Sequence, residues 1–168
     1  WAEQPDRLAH HALRGEVWEK AVRYCHQTGE KAWKRGALRE AVTSYEEALD
    51  ALGHLPEHPD TGVLSLELHY RLGNVLSLVG AHQRSLTLLS EAAARARQLG
   101  DRAQLGRALS RMVTVRTLVG DVEGALAAGQ EALALTARLG DPALQVDASY
   151  RVGQTYAHMG DYRRAAEV

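Results

Sequence analysis

Three arginines recur at a fixed spacing, and their chemistry suits the binding of carboxylates. Arg71, Arg111 and Arg151 are forty residues apart. A guanidinium group is planar and pairs with a carboxylate through two parallel hydrogen bonds. On neighbouring packed helices, such arginines would form a ladder with rungs about 10 Å apart. An extended peptide rises about 3.3 Å per residue, so each rung would meet about every third residue of an acidic peptide.

Polar and aromatic residues accompany these arginines and complete a predicted peptide-binding surface. Amide or hydroxyl side chains stand three residues after each arginine, where they can bond a peptide backbone. Tyrosines precede two of the arginines, and a tryptophan nearer the amino terminus offers a further apolar anchor. The predicted binding residues are Arg71, Asn74, Arg111, Thr114, Arg151, Gln154, Tyr70, Tyr150, Trp33 and Arg107.

A structural role for the arginines is the alternative. Glu67 precedes Arg71 by four residues, and Asp147 precedes Arg151 by four. Residues at this spacing are neighbours on a helix and can form ion pairs. The equivalent position before Arg111 holds another arginine, so the middle rung lacks this acidic partner. The sequence leaves both interpretations open, a ligand groove and a structural ladder.

Catalytic and metal-binding patterns are missing from the sequence. There is no Gly-Lys-Ser/Thr phosphate loop. Cys25, the only cysteine, lies on a helical pattern typical of a core residue. His54 and His58 straddle Pro56, and no cysteine or acidic cluster joins them at zinc spacing. We therefore expect a binding protein and not an enzyme, with no cofactor and no metal.

The composition favours a helical, cytoplasmic protein. Ala, Leu, Arg, Glu and Gln are strong helix formers and dominate the 168 residues. The formal net charge of -1 argues against bulk binding of nucleic acid, which requires an excess of cations. No apolar run approaches the roughly 18 residues that a membrane span needs. A single thiol cannot form an internal disulfide, which suits a reducing compartment such as the cytoplasm.

Regularly spaced glycines divide the chain into helices. They recur every twenty residues, and all but the first precede an aspartate: Gly80, Gly100, Gly120, Gly140 and Gly160. Glycine readily adopts the left-handed conformation that ends a helix, and aspartate caps the helix that follows. Between them, apolar residues recur every three or four positions, as on one face of a helix. Short turns then force neighbouring helices to run antiparallel.

A shift of forty residues superimposes the chain on itself better than a shift of twenty. Leu86 then coincides with Leu126, and Ala92 with Ala132. The repeating unit is therefore a pair of helices. One pair cannot bury both of its faces, so the pairs are predicted to stack into a solenoid.

These residues resemble the tetratricopeptide repeat, or TPR. The matches are Leu72, Gly73, Leu76, Gly80, Leu89 and Ala92; Val152, Gly153, Tyr156, Gly160, Asp161, Tyr162 and Ala165; and Gly29, Ala32, Gly36, Leu38, Ala41, Tyr45 and Ala48. The resemblance implies an all-α fold, a right-handed α-α superhelix whose first helices line a concave, protein-binding face. The period is longer than usual, and the middle copy departs from the pattern at Val113, Arg116 and Gly129. Small residues are expected to let helices approach closely, at Gly73, Ala92, Ala132, Gly153 and Ala165.

The predicted organisation is a single solenoid over residues 1–168. It comprises N-terminal helices in 1–35, a second helix and a Pro/Gly loop in 36–61, repeats in 62–100 and 101–140, and a truncated repeat in 141–168. The expected helices are 6–14, 16–35, 38–53, 62–79, 82–99, 101–119, 122–139 and 142–159, with a last one from Asp161. The last segment still shows Ala165, Ala166 and Val168, so we expect a fragment of a longer protein. Its apolar edge is expected to allow self-association.

The first third also resembles the helical region that follows the ATPase module in large bacterial signalling proteins. This resemblance rests on residues 8–11, 18–22, 29–32 and 40–42. This resemblance implies a parent such as an adenylate/guanylate cyclase with an AAA-type ATPase or a related transcriptional activator. The favoured function is a protein- or peptide-binding scaffold, with no nucleic-acid or membrane partner. Alternatives are a structural spacer or self-association module, and a small-ligand sensor.

Overall fold

Helices account for most of the structure, a computed structural model that describes residues 5–168. No strand occurs within this range, and the first four residues lie outside it. The helices are α1 (Pro5–Arg14), α2 (Trp18–Lys34), α3 (Leu38–Gly53), α4 (Pro59–Leu78), α5 (His82–Leu99), α6 (Arg102–Leu118), α7 (Val122–Leu139), α8 (Pro142–His158) and α9 (Tyr162–Glu167). They form two compact units, Trp1–Ala81 and His82–Val168. The predicted single solenoid stays a prediction.

The Gly-Asp turns end and begin helices as the sequence predicts. Each of the regularly spaced glycines has a positive φ, from 66° at Gly140 to 83° at Gly80. The following aspartates cap the next helix: Asp121, for example, accepts a hydrogen bond from the backbone N–H of Gly124. Asp141 accepts two, from the N–H groups of Ala143 and Leu144. Both predicted roles are confirmed, and they place most helix boundaries within two residues of expectation.

The loop predicted between the third and fourth helices is shorter than expected. The expected start of the next helix near residue 62 was wrong, because α4 already begins at Pro59. Proline at a first helical position has the right φ and loses no hydrogen bond. His58 caps the helix, while the hydroxyl of Thr61 accepts a hydrogen bond from the His58 N–H. Gly62 therefore lies inside the first turn of α4. Similarly, the second helix starts at Trp18 and not at residue 16.

Small residues let the helices of the first unit pack closely. Helix α2 packs against α1 and α3, and α3 packs against α4. A Cβ atom at Gly29 would lie 2.7 Å from Cε1 of Tyr45, so only glycine fits beneath that ring. Tyr45 on α3 is 1% exposed, and its ring packs against Gly29 on α2. Cys25 on α2 is also fully buried, which confirms its predicted role in the core.

In the second unit, consecutive helix pairs stack through their first helices. Helix α6 packs against α5, α7 and α8, α7 also packs against α8, and α8 packs against α9. The hydroxyl groups of Thr117 and Thr155 lie 2.8 Å apart and link α6 to α8. Ala132 is fully buried, in keeping with its predicted role at a close contact. The contact between α6 and α8 confirms that a pair of helices is the repeating unit here.

Candidate functional site

The contacts of Arg151 join the first helices of two consecutive pairs. Its Nε and Nη2 atoms donate to the Asp147 carboxylate, at 2.9 Å and 2.7 Å. Its Nη1 atom donates to the hydroxyl of Thr114 on α6, at 2.8 Å. The sequence predicted both Thr114 and Arg151 as peptide-binding residues, and the structure brings their side chains into contact. The guanidinium side chain is only 15% exposed, so this arginine mainly ties α8 to α6.

In the first unit, Arg71 is likewise held by carboxylates. Its Nη2 atom lies 3.4 Å from Glu67, and its Nη1 atom lies 3.4 Å from Glu30 on α2. Glu30 also accepts a 2.6 Å hydrogen bond from the Tyr45 hydroxyl. Burial raises the pKa of Tyr45 above its usual range, and the hydrogen bond to Glu30 raises it further. Glu67 also lies 3.8 Å from Nε2 of His26. Arg71 thus belongs to a polar network that links α2, α3 and α4.

These contacts support the structural interpretation for two of the three arginines. Both Arg71 and Arg151 make the ion pair four residues back that their spacing allows. The partner that sequence reasoning missed is Glu30, because it lies on another helix and no local spacing connects it to Arg71. The ladder across all three repeats spans the two units and stays a prediction.

Helix α6 carries the most positive charge in the second unit. Its sequence, RAQLGRALSRMVTVRTL, contains four arginines and no acidic residue. Arg107 is exposed and Arg111 is half-buried. Arg116 donates a 2.6 Å hydrogen bond to the Asp121 carboxylate, across the turn that leads into α7. Arg107, Arg111 and Thr114 of α6, together with Arg151 of α8 and its ion-pair partner Asp147, make up the surface that we call the first-helix face.

Tyr150 and Gln154 lie on α8 and border a different feature. The Gln154 amide donates to the Tyr150 hydroxyl at 2.7 Å. Both residues line a groove of about 660 Å³ between α8 and α9, whose other lining residues are Pro142, Gln145, Val146, Ser149, Gly153, Ala157, Ala165 and Val168. The groove carries no charged side chain. These two predicted residues therefore border an apolar groove on α8.

The predicted residues of the first unit lie on α2 and α4. Tyr70 and Asn74 are half-buried on α4, and Trp33 is half-buried on α2. The Oδ1 atom of Asn74 is buried and accepts no hydrogen bond from the described residues. No sequence pattern distinguishes these side chains from ordinary half-buried residues, and their ligand-binding role stays a prediction.

The surroundings of Cys25 and the placement of the possible metal ligands bear on two kinds of site chemistry. Burial raises the pKa of the Cys25 thiol to about 12, and the nearby Glu47 carboxylate adds to the shift. Its Sγ atom lies 3.8 Å from that carboxylate. Because the pKa of the thiol is raised well above neutral pH, the thiol stays protonated there and is a poor nucleophile. Over residues 5–168, no three His, Cys, Asp or Glu side chains are grouped to hold a metal ion. Nor does any described helix combine the length and apolarity of a membrane span.

Solved structures identify the fold. A Rap protein complexed with competence and sporulation factor matches 87% of this chain with a TM-score of 0.76 and 18% identity. TPR-like repeats of a kinesin light chain from Podosopora anserina match 99% of it, with a TM-score of 0.65 and 16% identity. MamA matches 95%, with a TM-score of 0.60 and 15% identity. The fold is TPR-like.

These matches confirm the expected fold class, an all-α protein of the α-α superhelix type. The chain spans 40% of the Rap protein's length, 93% of the kinesin light chain repeats and 89% of MamA. No protein-family model matches the chain, and no curated protein matches it at a significant level. At such low identities the TPR-like likeness establishes the fold and leaves function to the chemistry of the chain itself.

Proposed function

We propose that this chain is a protein-binding scaffold whose first-helix face holds an acidic segment of a partner. The carrying observation is the charge of α6, which has four arginines and no acid. Arg107 and Arg111 lie on α6, and Arg151 lies on the adjoining helix α8. Guanidinium groups prefer carboxylates because the two planar groups form paired hydrogen bonds. An acidic peptide lying across α6 and α8 would meet both helices.

Within this proposal the arginines have different tasks. Arg151 is already bonded to Asp147 and Thr114, so it holds α8 against α6 and positions the face. Arg107 is exposed, so it can reach a ligand without breaking a buried contact. Exposed charges at the edge of a binding surface mainly change the association rate and the specificity of binding. We therefore expect Arg107 to contribute the main ligand contact, and Arg111, four residues further along α6, to add to the positive charge of the face.

The similar structures add support for a binding role. One of them is a Rap protein in complex with competence and sporulation factor. A TPR-like fold with the same helix-pair organisation can thus form a complex with another molecule. The four arginines of α6 are the support for an acidic ligand.

Calorimetry with a short peptide that has glutamate at every third position tests this function. A peptide of the same composition with clustered glutamates serves as the comparison. We expect the spaced peptide to bind more tightly, and Arg107→Glu and Arg111→Glu to weaken it roughly tenfold or more. Arg138→Glu, on the second helix α7, is the matched control because Arg138 is also exposed. Absence of binding, or an equal loss with Arg138→Glu, would contradict the proposal.

For the parent protein, we propose a cytoplasmic bacterial signalling protein with an ATPase or cyclase module. The support is the resemblance of residues 8–11, 18–22, 29–32 and 40–42 to the helical region of such proteins. Sequencing the coding region on both sides of this chain tests it directly. A phosphate-loop ATPase encoded upstream is the expected result, and a coding region without one would contradict the proposed parent.

A further inference from the structure

Asp147 occupies, on α8, the position that Arg107 occupies on α6. The two residues are forty apart in the sequence, which is the length of one repeat, and so are Arg111 and Arg151. Because α6 packs against α8, equivalent positions on the two helices are neighbours on the first-helix face. The same two positions therefore hold two arginines on α6, whereas on α8 they hold an aspartate and an arginine.

The carboxylate of Asp147 already neutralises the guanidinium group of Arg151. The Nε and Nη2 atoms of Arg151 donate to the two oxygens of this carboxylate, and Nη1 donates to the hydroxyl of Thr114. All three guanidinium nitrogens thus donate hydrogen bonds within the chain. The side chain of Asp147 is 40% exposed and that of Arg151 only 15%, so a ligand that approaches α8 meets the carboxylate more readily than the guanidinium group.

We propose that Asp147 determines the specificity of the first-helix face, because it excludes acidic side chains of a ligand from α8 and confines them to α6. This inference rests on the proposed function. A ligand carboxylate over α8 would meet a carboxylate of the same charge, and such a juxtaposition rejects a wrong partner. Over α6 the ligand carboxylate meets arginines on a helix that has no acidic residue.

The chemistry of the fitting partner follows from this division of charge. Packed helices lie about 10 Å apart, which an extended segment spans in about three residues. The partner segment should therefore have an acidic side chain over α6 and, about three residues away, an uncharged or basic side chain over α8. A basic side chain there can pair with the exposed carboxylate of Asp147. A uniformly acidic segment gains nothing from its second acidic residue.

Calorimetry with three peptides tests the inference on the unaltered chain. The peptides differ only at two positions, three residues apart: the first has glutamate at both, the second glutamate and glutamine, and the third glutamate and lysine. We expect the second peptide to bind within about twofold of the first, since one carboxylate suffices for α6. The third should bind about threefold to fivefold more tightly than the first, as an exposed ion pair contributes.

The variant Asp147→Asn should reverse this order. It removes the negative charge but keeps a side-chain oxygen that can accept a hydrogen bond from Arg151. The peptide with two glutamates should then bind about threefold to fivefold more tightly than the other two. Glu123→Gln is the matched control, because it removes one carboxylate from an exposed position on α7 and changes the net charge by the same amount. The control should leave the order of the peptides unchanged, and urea unfolding checks that both variants are folded.

The outcomes separate this inference from the proposed function. If the peptide with two glutamates binds the unaltered chain most tightly, or if Asp147→Asn leaves the order unchanged, the inference is overturned and the proposed function stands. An equal loss of affinity for all three peptides in Asp147→Asn would show that Asp147 only supports the fold, and would also overturn the inference. If none of the peptides binds either the unaltered chain or Asp147→Asn, the proposed function itself fails, and the inference fails with it.

Discussion

The packing of α7 on α8 depends on the absence of a side chain at Gly129. A Cβ atom at that position would lie 2.4 Å from Cγ2 of Val152. Carbon atoms in good contact are about 3.5–4.0 Å apart, so one atom would have to move by more than about 1 Å. Val152 is 3% exposed and its branched side chain has few rotamers. The substitution Gly129→Ala must therefore strain this contact.

The expected loss of stability follows from two opposed effects. Overpacking a buried contact costs about 1–3 kcal/mol. Alanine is favoured over glycine inside a helix by about 1 kcal/mol, which offsets part of that cost. We expect a net loss of roughly 1 kcal/mol, or a fall in melting temperature of about 2–4 °C for a chain of this size. Gly53→Ala is the control, because nothing lies within 4 Å of its Cβ position.

Urea unfolding of Gly129→Ala in two backgrounds tests this reasoning. In the unaltered chain the substitution should destabilise. In a Val152→Ala background the obstructing methyl group is gone, so the same substitution should stabilise through helix propensity alone. This reversal of sign corresponds to a coupling energy of about 1–3 kcal/mol. Equal effects in both backgrounds, or a gain in stability in the unaltered chain, would refute the proposed contact.

Two further predictions concern a helix cap and a buried thiol. Asp141→Ala removes the acceptor for two backbone N–H groups at the start of α8 and should cost about 1 kcal/mol in urea unfolding. Asp141→Asn should retain most of the stability, and equal losses in both variants would contradict the capping role. Burial in the folded chain raises the pKa of the Cys25 thiol from its ordinary value of 9.0 to about 12. The unfolded thiol therefore ionises first, and the stability that the buried thiol contributes is complete below pH 9 and lost as the pH rises towards 12. Cys25→Ala should lose less stability over that pH range, and an identical decline in both proteins would contradict the shift.

Local signals explain why the helices were predictable. Each Gly-Asp turn combines a left-handed glycine with a capping aspartate, and neither requires a distant partner. Gly120 and Asp121 adopt these roles, so the boundary between α6 and α7 follows from two residues. Pro59 was misread as part of a loop because proline suits both a loop and a first helical turn. The capping contacts of His58 and Thr61 decide between these possibilities.

Contacts between distant residues explain why the site was only partly predictable. The ion pairs within α4 and α8 follow from a spacing of four residues. Glu30 reaches Arg71 across a helix interface, which no local pattern encodes. Gly129 departs from the TPR pattern, and the need for glycine there comes from the contact with Val152 on another helix. Tyr150 was assigned by its spacing, yet the apolar groove that it lines depends on the position of α9.

Mapping by nuclear magnetic resonance of the spaced glutamate peptide on this chain tests the central claim most directly. If the peptide binds to the first-helix face of α6 and α8, we expect the largest changes in amide chemical shift near Arg107, Arg111 and Thr114. The exposed surface of α7 around Arg138 should show little change. Shifts that concentrate on α7, or no shifts at a peptide concentration well above that of the chain, would contradict a ligand-binding first-helix face.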